Sequence, residues 1–154
     1  MVMCHGYGES SDNYLEMAIH HAMNGFEVHA IDFMGQGLAS GPKNGHFGIQ
    51  EHHNQVVSML QNVNEKLACF VQAHSMGCLC ITTMIINNPN LNFAGCVLGS
   101  PFIGFGKEKK VTRFKRMMVL IMKNHLDEVP LNGIGCHQFL SKDKAYYTNA
   151  MLHT

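Results

Sequence analysis

The stretch 67-LACFVQAHSMGCLCITTMIIN-87 decides the fold of this chain. Residues 67–73 form a short, almost entirely apolar run, which is typical of a buried parallel strand. Residues 76–87 are apolar nearly all round, as a helix buried on all sides would be, and Asn88-Pro89 ends it. The stretch therefore predicts a strand and a helix joined by a tight turn, with Ser75 at the turn.

Strand-like and helix-like segments alternate on both sides of this unit. In 26–32, the apolar residues Phe26, Val28 and Ala30 alternate with polar ones, as in a strand. Residues 13–24 and 50–66 instead show the three- and four-residue apolar spacing of helices. A glycine-rich loop spans 35–48. The predicted strands are 1–4, 26–32, 67–73 and 93–100, and the predicted helices are 13–24, 50–66 and 76–87. This order predicts an α/β fold with a parallel sheet covered by helices on both faces.

The composition is that of one globular domain. The chain has 154 residues, of which 46% are hydrophobic and 14% charged. Its 11 basic and 11 acidic residues cancel, so nothing indicates a nucleic-acid partner or a polybasic membrane anchor. The apolar runs, such as 117–122, are far shorter than the ~20 residues of a spanning helix, and the first ten residues do not resemble a signal peptide. We therefore expect a cytoplasmic protein.

The character of the chain changes after residue 101. Residues 107–116 are highly charged, 117–122 are continuously apolar, and the sequence after Pro130 is irregular. We interpret 1–101 as the sheet-bearing part and 102–154 as a helical lid that is incomplete in this chain.

Cysteine and histidine are frequent, with 6 and 11 residues respectively. The cysteines lie mostly in apolar runs without regular spacing, which favours reduced, buried thiols over a disulfide framework. His20-His21 and His52-His53 are adjacent pairs, and neighbours on a helix point about 100° apart, so they are poorly placed to share one ion. We predict no metal site and assign the histidines to helix surfaces and to packing.

Ser75 is a candidate nucleophile because of the turn on which it lies. A serine hydroxyl reacts only when a base takes its proton and the resulting oxyanion is stabilised. Small residues two positions before and after it, Ala73 and Gly77, allow a sharp turn, and a following helix directs backbone N–H groups at the developing charge. The alternative is a serine that caps a buried helix.

A second glycine-containing segment, His5-Gly6-Tyr7-Gly8, follows the first predicted strand. Its glycines would let a backbone N–H group approach the same oxyanion from the opposite side. Together with the turn at Ser75, the segment fits the oxyanion loop of an α/β-hydrolase.

The chain resembles the monoacylglycerol lipase or serine aminopeptidase-like (lysophospholipase-like) family of α/β-hydrolases. The matching segments are 5-HGYGESSDNY-14, 31-IDFMGQGLASG-41, 73-AHSMG-77 and 94-AGCVLGSP-101. The resemblance implies that Ser75 is the nucleophile and that the N–H groups of Tyr7 and Met76 form the oxyanion hole. It implies that Asp32 belongs to a structural loop and is not the triad acid. The residues that would support the turn and the oxyanion loop are His5, Gly6, Gly8, Ala73, His74 and Gly77, and His74 would pack beneath the turn instead of acting as base.

The chain departs from the family pattern in three ways. Ala73 and Cys78 stand where the family usually has glycine. The family places its acid and base after the lid, whereas this sequence ends in the lid, and Met1 already lies in the strand before the oxyanion loop. The downstream candidates are Asp127, Asp143, His125, His137 and His153. We expect that none of them completes a triad and that the chain is a fragment, an incomplete gene model or a truncated paralogue.

The resemblance implies a serine ester hydrolase that cleaves lipid monoesters through an acyl-enzyme, without a cofactor, a metal or nucleic acid. The apolar run 117–122, flanked by Lys115, Arg116 and Lys123, could contact a membrane surface peripherally or line an acyl tunnel, or it could simply pack in the lid. Without its base, this chain alone is expected to be inactive. The alternative is a catalytically dead, truncated paralogue that serves at most as an interaction module.

Overall fold

The computed structural model of the chain describes residues 1–43 and 47–102, which form a parallel sheet with flanking helices. The alternation of strands and helices predicted from the sequence is confirmed. The elements are β1 (Val2–Cys4), a 3₁₀ helix (Ser11–Tyr14), α1 (Leu15–Met23), β2 (His29–Ile31), α2 (Ile49–Leu60), β3 (Phe70–His74), α3 (Met76–Asn87) and β4 (Gly95–Gly99).

The four strands lie in the order β2-β1-β3-β4, and every neighbouring pair is parallel. Ala73, near the end of β3, is opposite Cys4 on one side and Leu98 on the other. The carboxyl ends of β1, β3 and β4 therefore lie side by side, and the loops that follow them meet at one edge of the sheet. This arrangement confirms the predicted α/β class.

Helices cover both faces of the sheet. On one face, Val71 and Ala73 belong to a buried cluster with Val56 of α2 and Ile81 of α3. Gln72 points to the opposite face, where its side chain contacts α1 through a hydrogen bond of 2.8 Å with His21. Burial of the first cluster provides most of the apolar packing, because α1 has no fully buried residue.

Three predictions from apolar spacing need correction. Helix α2 ends at Leu60 instead of residue 66, because the chain turns there with a hydrogen bond from Val63 N–H to the Leu60 carbonyl. Helix α1 packs less tightly than expected, and Met23 at its end is 82% exposed. Helix α3 is not buried all round, since Ile86 is 76% exposed.

Other expectations concern cysteines, the lid and membrane spans. Cys4, Cys69, Cys78, Cys80 and Cys96 are free thiols in the structure. Cys4, Cys78 and Cys80 are buried as predicted, whereas Cys69 is half-buried and Cys96 is exposed, so the expectation of buried thiols is wrong for Cys96. Cys136 and the predicted lid 102–154, apart from Phe102, lie outside the described residues. Within the part of the chain that the structure describes, no helix has the length and apolar character needed to cross a membrane.

Candidate active site

Ser75 lies between the end of β3 and the start of α3, in a backbone conformation that few non-glycine residues adopt. Its φ is 45° and its ψ is −108°. A positive φ is strained for a residue with a side chain and persists only where the surroundings enforce it. Here the Ser75 N–H donates to the Gly99 carbonyl at 3.0 Å, and the Ser75 carbonyl accepts from Cys78 N–H at 3.1 Å. The turn is therefore held from β4 and from α3 at once.

The Ser75 hydroxyl does not cap α3. Ser75 occupies the N-cap position, but its side chain makes no capping hydrogen bond. Among residues 1–43 and 47–102, no side chain forms a hydrogen bond with this hydroxyl. The structure thus does not support the alternative of a helix-capping serine, and the hydroxyl lies at the positive end of the helix dipole.

Two glycines bring the segment 5–8 and the turn at Ser75 together. A Cβ atom on Gly77 would lie 2.5 Å from the Cys4 carbonyl oxygen and 2.7 Å from that of His5, so only glycine fits there. A Cβ atom on Gly6 would lie 3.2 Å from Cβ of Ser75. The segment 5–8 therefore lies directly against the candidate nucleophile.

The buried His5 side chain links the segment 5–8 to the loop after β2. Its Nε2 accepts a hydrogen bond of 3.0 Å from Phe33 N–H, so Nδ1 carries the proton and donates to the Gly6 carbonyl at 2.7 Å. Burial lowers the pKa of His5, which keeps the ring neutral near pH 7. Gly8, with a φ of 73°, donates its N–H to the Gln36 side chain at 3.0 Å. His5 and Gly8 thus hold the two ends of the loop.

Met76 directly follows Ser75 in the chain, and Tyr7 directly follows Gly6, which packs against Ser75. Met76 is the first residue of α3, where backbone N–H groups have no partner within the helix. Tyr7 lies in the turn between Gly6 and Gly8. Their assignment as oxyanion donors stays a prediction.

Glu9 is a site residue to which the sequence patterns did not point. Its Oε2 atom accepts hydrogen bonds from Gly6 N–H at 2.7 Å and from the Tyr14 hydroxyl at 2.6 Å. The same oxygen lies 3.0 Å from Nδ1 of His74, which precedes Ser75. His74 therefore packs beneath the turn against Glu9. The sequence offers only a weak indication of this role, namely that an acidic residue directly follows the glycine-containing segment 5–8.

Opposing effects shift both pKa values in the Glu9–His74 pair. Burial by itself raises the pKa of Glu9, but the hydrogen bond from His74, together with the two others, outweighs burial and lowers this pKa to about 2. The hydrogen bond to Glu9 raises the pKa of His74, against the opposing effect of burial. A carboxylate next to a readily protonated ring thus lies behind the turn.

Asp32 supports two loops, in line with the structural role that the family resemblance implies. Its carboxylate accepts hydrogen bonds from Ser11 N–H at 2.7 Å and from Leu38 N–H at 2.9 Å. Burial raises the pKa of Asp32, but these backbone hydrogen bonds outweigh it and the pKa is lowered. Asp32 therefore ties the loop after β2 to the start of the 3₁₀ helix.

Ala73 and Cys78, which differ from the family's glycines, are both accommodated. Ala73 is buried in the core cluster. The Cys78 thiol lies within hydrogen-bonding distance of the Ala73 carbonyl, at 3.2 Å, and of the Gly99 carbonyl, at 3.3 Å. Burial raises the pKa of this thiol, which keeps it protonated and able to donate.

His52 and His53 of α2 make packing and polar contacts with neighbouring residues. His53 Nε2 lies 2.9 Å from the Thr83 hydroxyl and 3.1 Å from the Cys80 carbonyl. His52 stacks edge-on against Phe33, with ring centres 4.8 Å apart. In residues 1–43 and 47–102, no group of three or more His, Cys, Asp or Glu side chains is placed to hold a metal ion.

The predicted absence of an acid and a base is not decided by this geometry. The five downstream candidates, His125, Asp127, His137, Asp143 and His153, all lie outside the described residues. What the structure brings together is the serine, the loop 5–8 and the supporting pair Glu9–His74.

Solved structures of lipases resemble this chain in sequence and fold. A monoacylglycerol lipase of Paleococcus ferrophilus is 26% identical, with a TM-score of 0.67, over 81% of this chain and 46% of the lipase. A soluble variant of the monoglyceride lipase of Saccharomyces cerevisiae has a TM-score of 0.71 at 19% identity, over 96% of this chain and 50% of that enzyme. The chain thus spans about half the length of these enzymes, and the yeast enzyme shows the shared fold only.

Sequence comparison points to the same family. An uncharacterized abhydrolase domain-containing protein of Dictyostelium discoideum is 25% identical over 103 residues, which cover 67% of this chain and 11% of that protein. The model of the family described as serine aminopeptidase, S33, matches residues 1–150. The match covers nearly the whole chain, including the turn at Ser75 and the segment 5–8. The chain therefore belongs to the serine aminopeptidase S33 family of α/β-hydrolases.

Proposed function

We propose that the protein is a serine ester hydrolase in which Ser75 is the nucleophile. A general base takes the proton of the Ser75 hydroxyl as its oxygen attacks the ester carbonyl carbon. The bond from the acyl carbon to the alcohol oxygen then breaks, that oxygen takes up the proton, and water hydrolyses the acyl-enzyme to the free acid and serine. The N–H groups of Tyr7 and Met76 stabilise the oxyanion that forms in each step. The observation that carries this proposal is the positive φ of Ser75, 45°, at the β3–α3 junction with Gly6 packed against it.

The proposed substrates are lipid monoesters of the monoacylglycerol type. The support is the 26% identity with the Paleococcus ferrophilus monoacylglycerol lipase, whose name gives its substrate class. We place the protein in the cytoplasm and propose that the apolar run 117–122 in the lid contacts lipid, with peripheral membrane contact as a consequence.

We further propose that residues 1–154 hydrolyse esters poorly by themselves. A serine without its base loses most of its activation, and only the residual contribution of the oxyanion hole and of binding is left.

The second candidate is an interaction module without catalysis. The observation in its favour is the apolar surface of β4, the outer strand of the sheet within residues 1–43 and 47–102, where Val97 is 61% and Leu98 37% exposed. An edge strand with exposed apolar side chains is suited to pairing with another strand. The two candidates differ in whether Ser75 reacts.

A fluorophosphonate probe, which phosphonylates activated serines, distinguishes them. The protein as the cell makes it is compared with its Ser75→Ala variant and with Ser58→Ala, which removes an exposed serine of α2. We expect labelling of the natural protein and of Ser58→Ala, and none of Ser75→Ala. Monoacylglycerol hydrolysis is measured by the release of fatty acid. We expect it for the natural protein and for Ser58→Ala, and not for Ser75→Ala.

Labelling that persists in Ser75→Ala, or no labelling of the natural protein, contradicts the hydrolase proposal. For residues 1–154 expressed alone, we expect labelling at least about 1,000-fold slower than that of an intact enzyme, since removal of a triad residue has an effect of that size. Strong labelling of this chain alone at Ser75 would show that it contains its own base.

A further inference from the structure

Three parts of the candidate site meet at one oxygen atom of Glu9. Oε2 accepts the Gly6 N–H at 2.7 Å, the Tyr14 hydroxyl at 2.6 Å and the Nδ1–H of His74 at 3.0 Å. Gly6 belongs to the oxyanion loop, Tyr14 ends the 3₁₀ helix, and His74 ends β3. A single carboxylate oxygen therefore links the oxyanion loop to β3, the strand that directly precedes Ser75.

The position of this oxygen makes the link strong. The Glu9 side chain is 11% exposed and that of His74 is 31% exposed, so solvent screens the pair only in part. The loop closes on itself as well, because the Glu9 N–H donates to the Gly6 carbonyl at 3.3 Å. Hydrogen bonds to an ionised acceptor are about twice as strong as neutral ones.

The distance between the oxyanion loop and the nucleophile depends on this link. A Cβ atom on Gly6 would be 3.1 Å from Nδ1 of His74 and 3.2 Å from Cβ of Ser75, so the three residues are in close contact. Movement of Gly6 away from His74 would carry Tyr7, the next residue, away from Ser75. An oxyanion donor acts only when it is about 3 Å from the developing charge.

We propose that Glu9 is a positioning residue for the oxyanion hole, which it holds against the turn at Ser75 through its hydrogen bonds to Gly6 and His74. It takes no part in proton transfer to substrate. This inference rests on the proposed function for its effect on catalysis, whereas the link itself is a property of the fold.

The first arm of the test measures ester hydrolysis by the natural protein with 4-nitrophenyl butyrate. Glu9→Gln keeps the shape of the side chain but removes the charge, and Glu16→Gln is the matched control on the exposed surface of α1. We expect kcat to fall about 10- to 100-fold in Glu9→Gln with KM within about threefold, because misplacement by 1 Å has an effect of this order. Glu16→Gln should match the natural protein.

The second arm of the test measures the Glu9–His74 and Glu9–Gly6 hydrogen bonds without reference to catalysis. By NMR, we expect the pKa of His74 in Glu9→Gln to fall toward about 6.5, the ordinary value for histidine. His5 and Tyr14 are the other titratable groups near Glu9, and their resonances are followed in the same titration. Hydrogen exchange of the Gly6 amide should become about tenfold faster or more.

The two arms separate the inference from the proposed function. If Ser75→Ala hydrolyses the ester as fast as the natural protein, the proposed function fails, and the His74 titration and Gly6 exchange still decide on the link. If Glu9→Gln behaves like Glu16→Gln in both of these readouts, the inference is wrong. A loss of stability with unchanged kcat would also overturn it.

A further variant covers the case in which Glu9→Gln does not fold. Tyr14→Phe removes one of the three donors and leaves the carboxylate in place. We expect it to lower kcat by about threefold to tenfold and to speed Gly6 exchange by a smaller factor than Glu9→Gln. No change in either quantity would contradict the inference.

Discussion

Gly77 of α3 lies so close to Cys4 of β1 that a Cβ atom on Gly77 would be 2.5 Å from the Cys4 carbonyl oxygen. The obstacle is backbone, which cannot rotate away as a side chain can. We therefore expect Gly77→Ala to lower the free energy of unfolding by about 1–3 kcal/mol, measured by urea denaturation. Gly99→Ala is the matched control, because its Cβ would meet nothing closer than 3.6 Å. Equal stability of the two variants would contradict this account of Gly77.

The strained backbone at Ser75 predicts an unusual order of stability. With φ at 45°, Ser75→Gly relieves strain that Ser75→Ala retains. We expect Ser75→Gly to be more stable than Ser75→Ala by about 1 kcal/mol in urea denaturation. At Ser58, inside α2, the order should reverse by about 1 kcal/mol, because glycine disfavours helix. The same order at both sites would show that Ser75 is not strained.

The pair Glu9–His74 predicts a stability contribution with a maximum in pH. The pKa of Glu9 is lowered from 4.5 to about 2, so its contribution is present above pH 4.5 and is lost as the pH falls through 2. The pKa of His74 is raised above 6.5, so its contribution is present below pH 6.5 and is lost as the pH rises through the folded-state value. Both contributions are therefore complete only between these limits.

We accordingly expect the stability difference between the natural protein and Glu9→Gln to be largest near pH 5.5, at about 2–3 kcal/mol. The measurement is urea denaturation of both proteins from pH 3 to pH 9. Glu16→Gln should show no such maximum. A difference that is constant over this range would exclude a charged pair.

Asp32 is expected to contribute stability and not chemistry. Asp32→Ala leaves the N–H groups of Ser11 and Leu38 without their carboxylate acceptor, and we expect a loss of about 1–3 kcal/mol. Asp12→Ala, at an exposed position, is the control. If the Asp32→Ala variant folds, it should still react with a fluorophosphonate probe at a rate within about tenfold of that of the natural protein. Complete loss of labelling in a folded Asp32→Ala variant would assign Asp32 a direct role.

The thiols should differ in reactivity according to their burial. Burial raises the pKa of Cys80 to about 12, and it also raises the pKa of Cys4. Cys96 is exposed. Because the thiolate is the reactive form, we expect iodoacetamide at pH 8 to alkylate Cys96 at least about 100-fold faster than Cys4 or Cys80. In urea the three rates should become similar, and equal rates in the folded protein would contradict the described packing.

The turn at Ser75 could be predicted from the sequence because its cause is local. A short apolar run, a small residue at 73, a serine and a glycine at 77 define strand, turn and helix within a few residues. The alternation of such segments also predicts the parallel α/β class, which the structure confirms. Helix ends were less predictable: α2 stops at Leu60 although apolar spacing continues to Val63, because the chain turns at that point.

Contacts between segments that are distant in the chain could not be predicted from local patterns. Glu9 and His74 are 65 residues apart, and neither carries a local pattern that predicts the other. They meet because β1 and β3 are neighbours in the sheet, which brings the loop after one strand against the end of the other. By itself the sequence determined the candidate nucleophile and the class of fold, since both depend on local spacing. The contact of Glu9 and His74 beneath Ser75 depends on strand order, which local spacing does not specify.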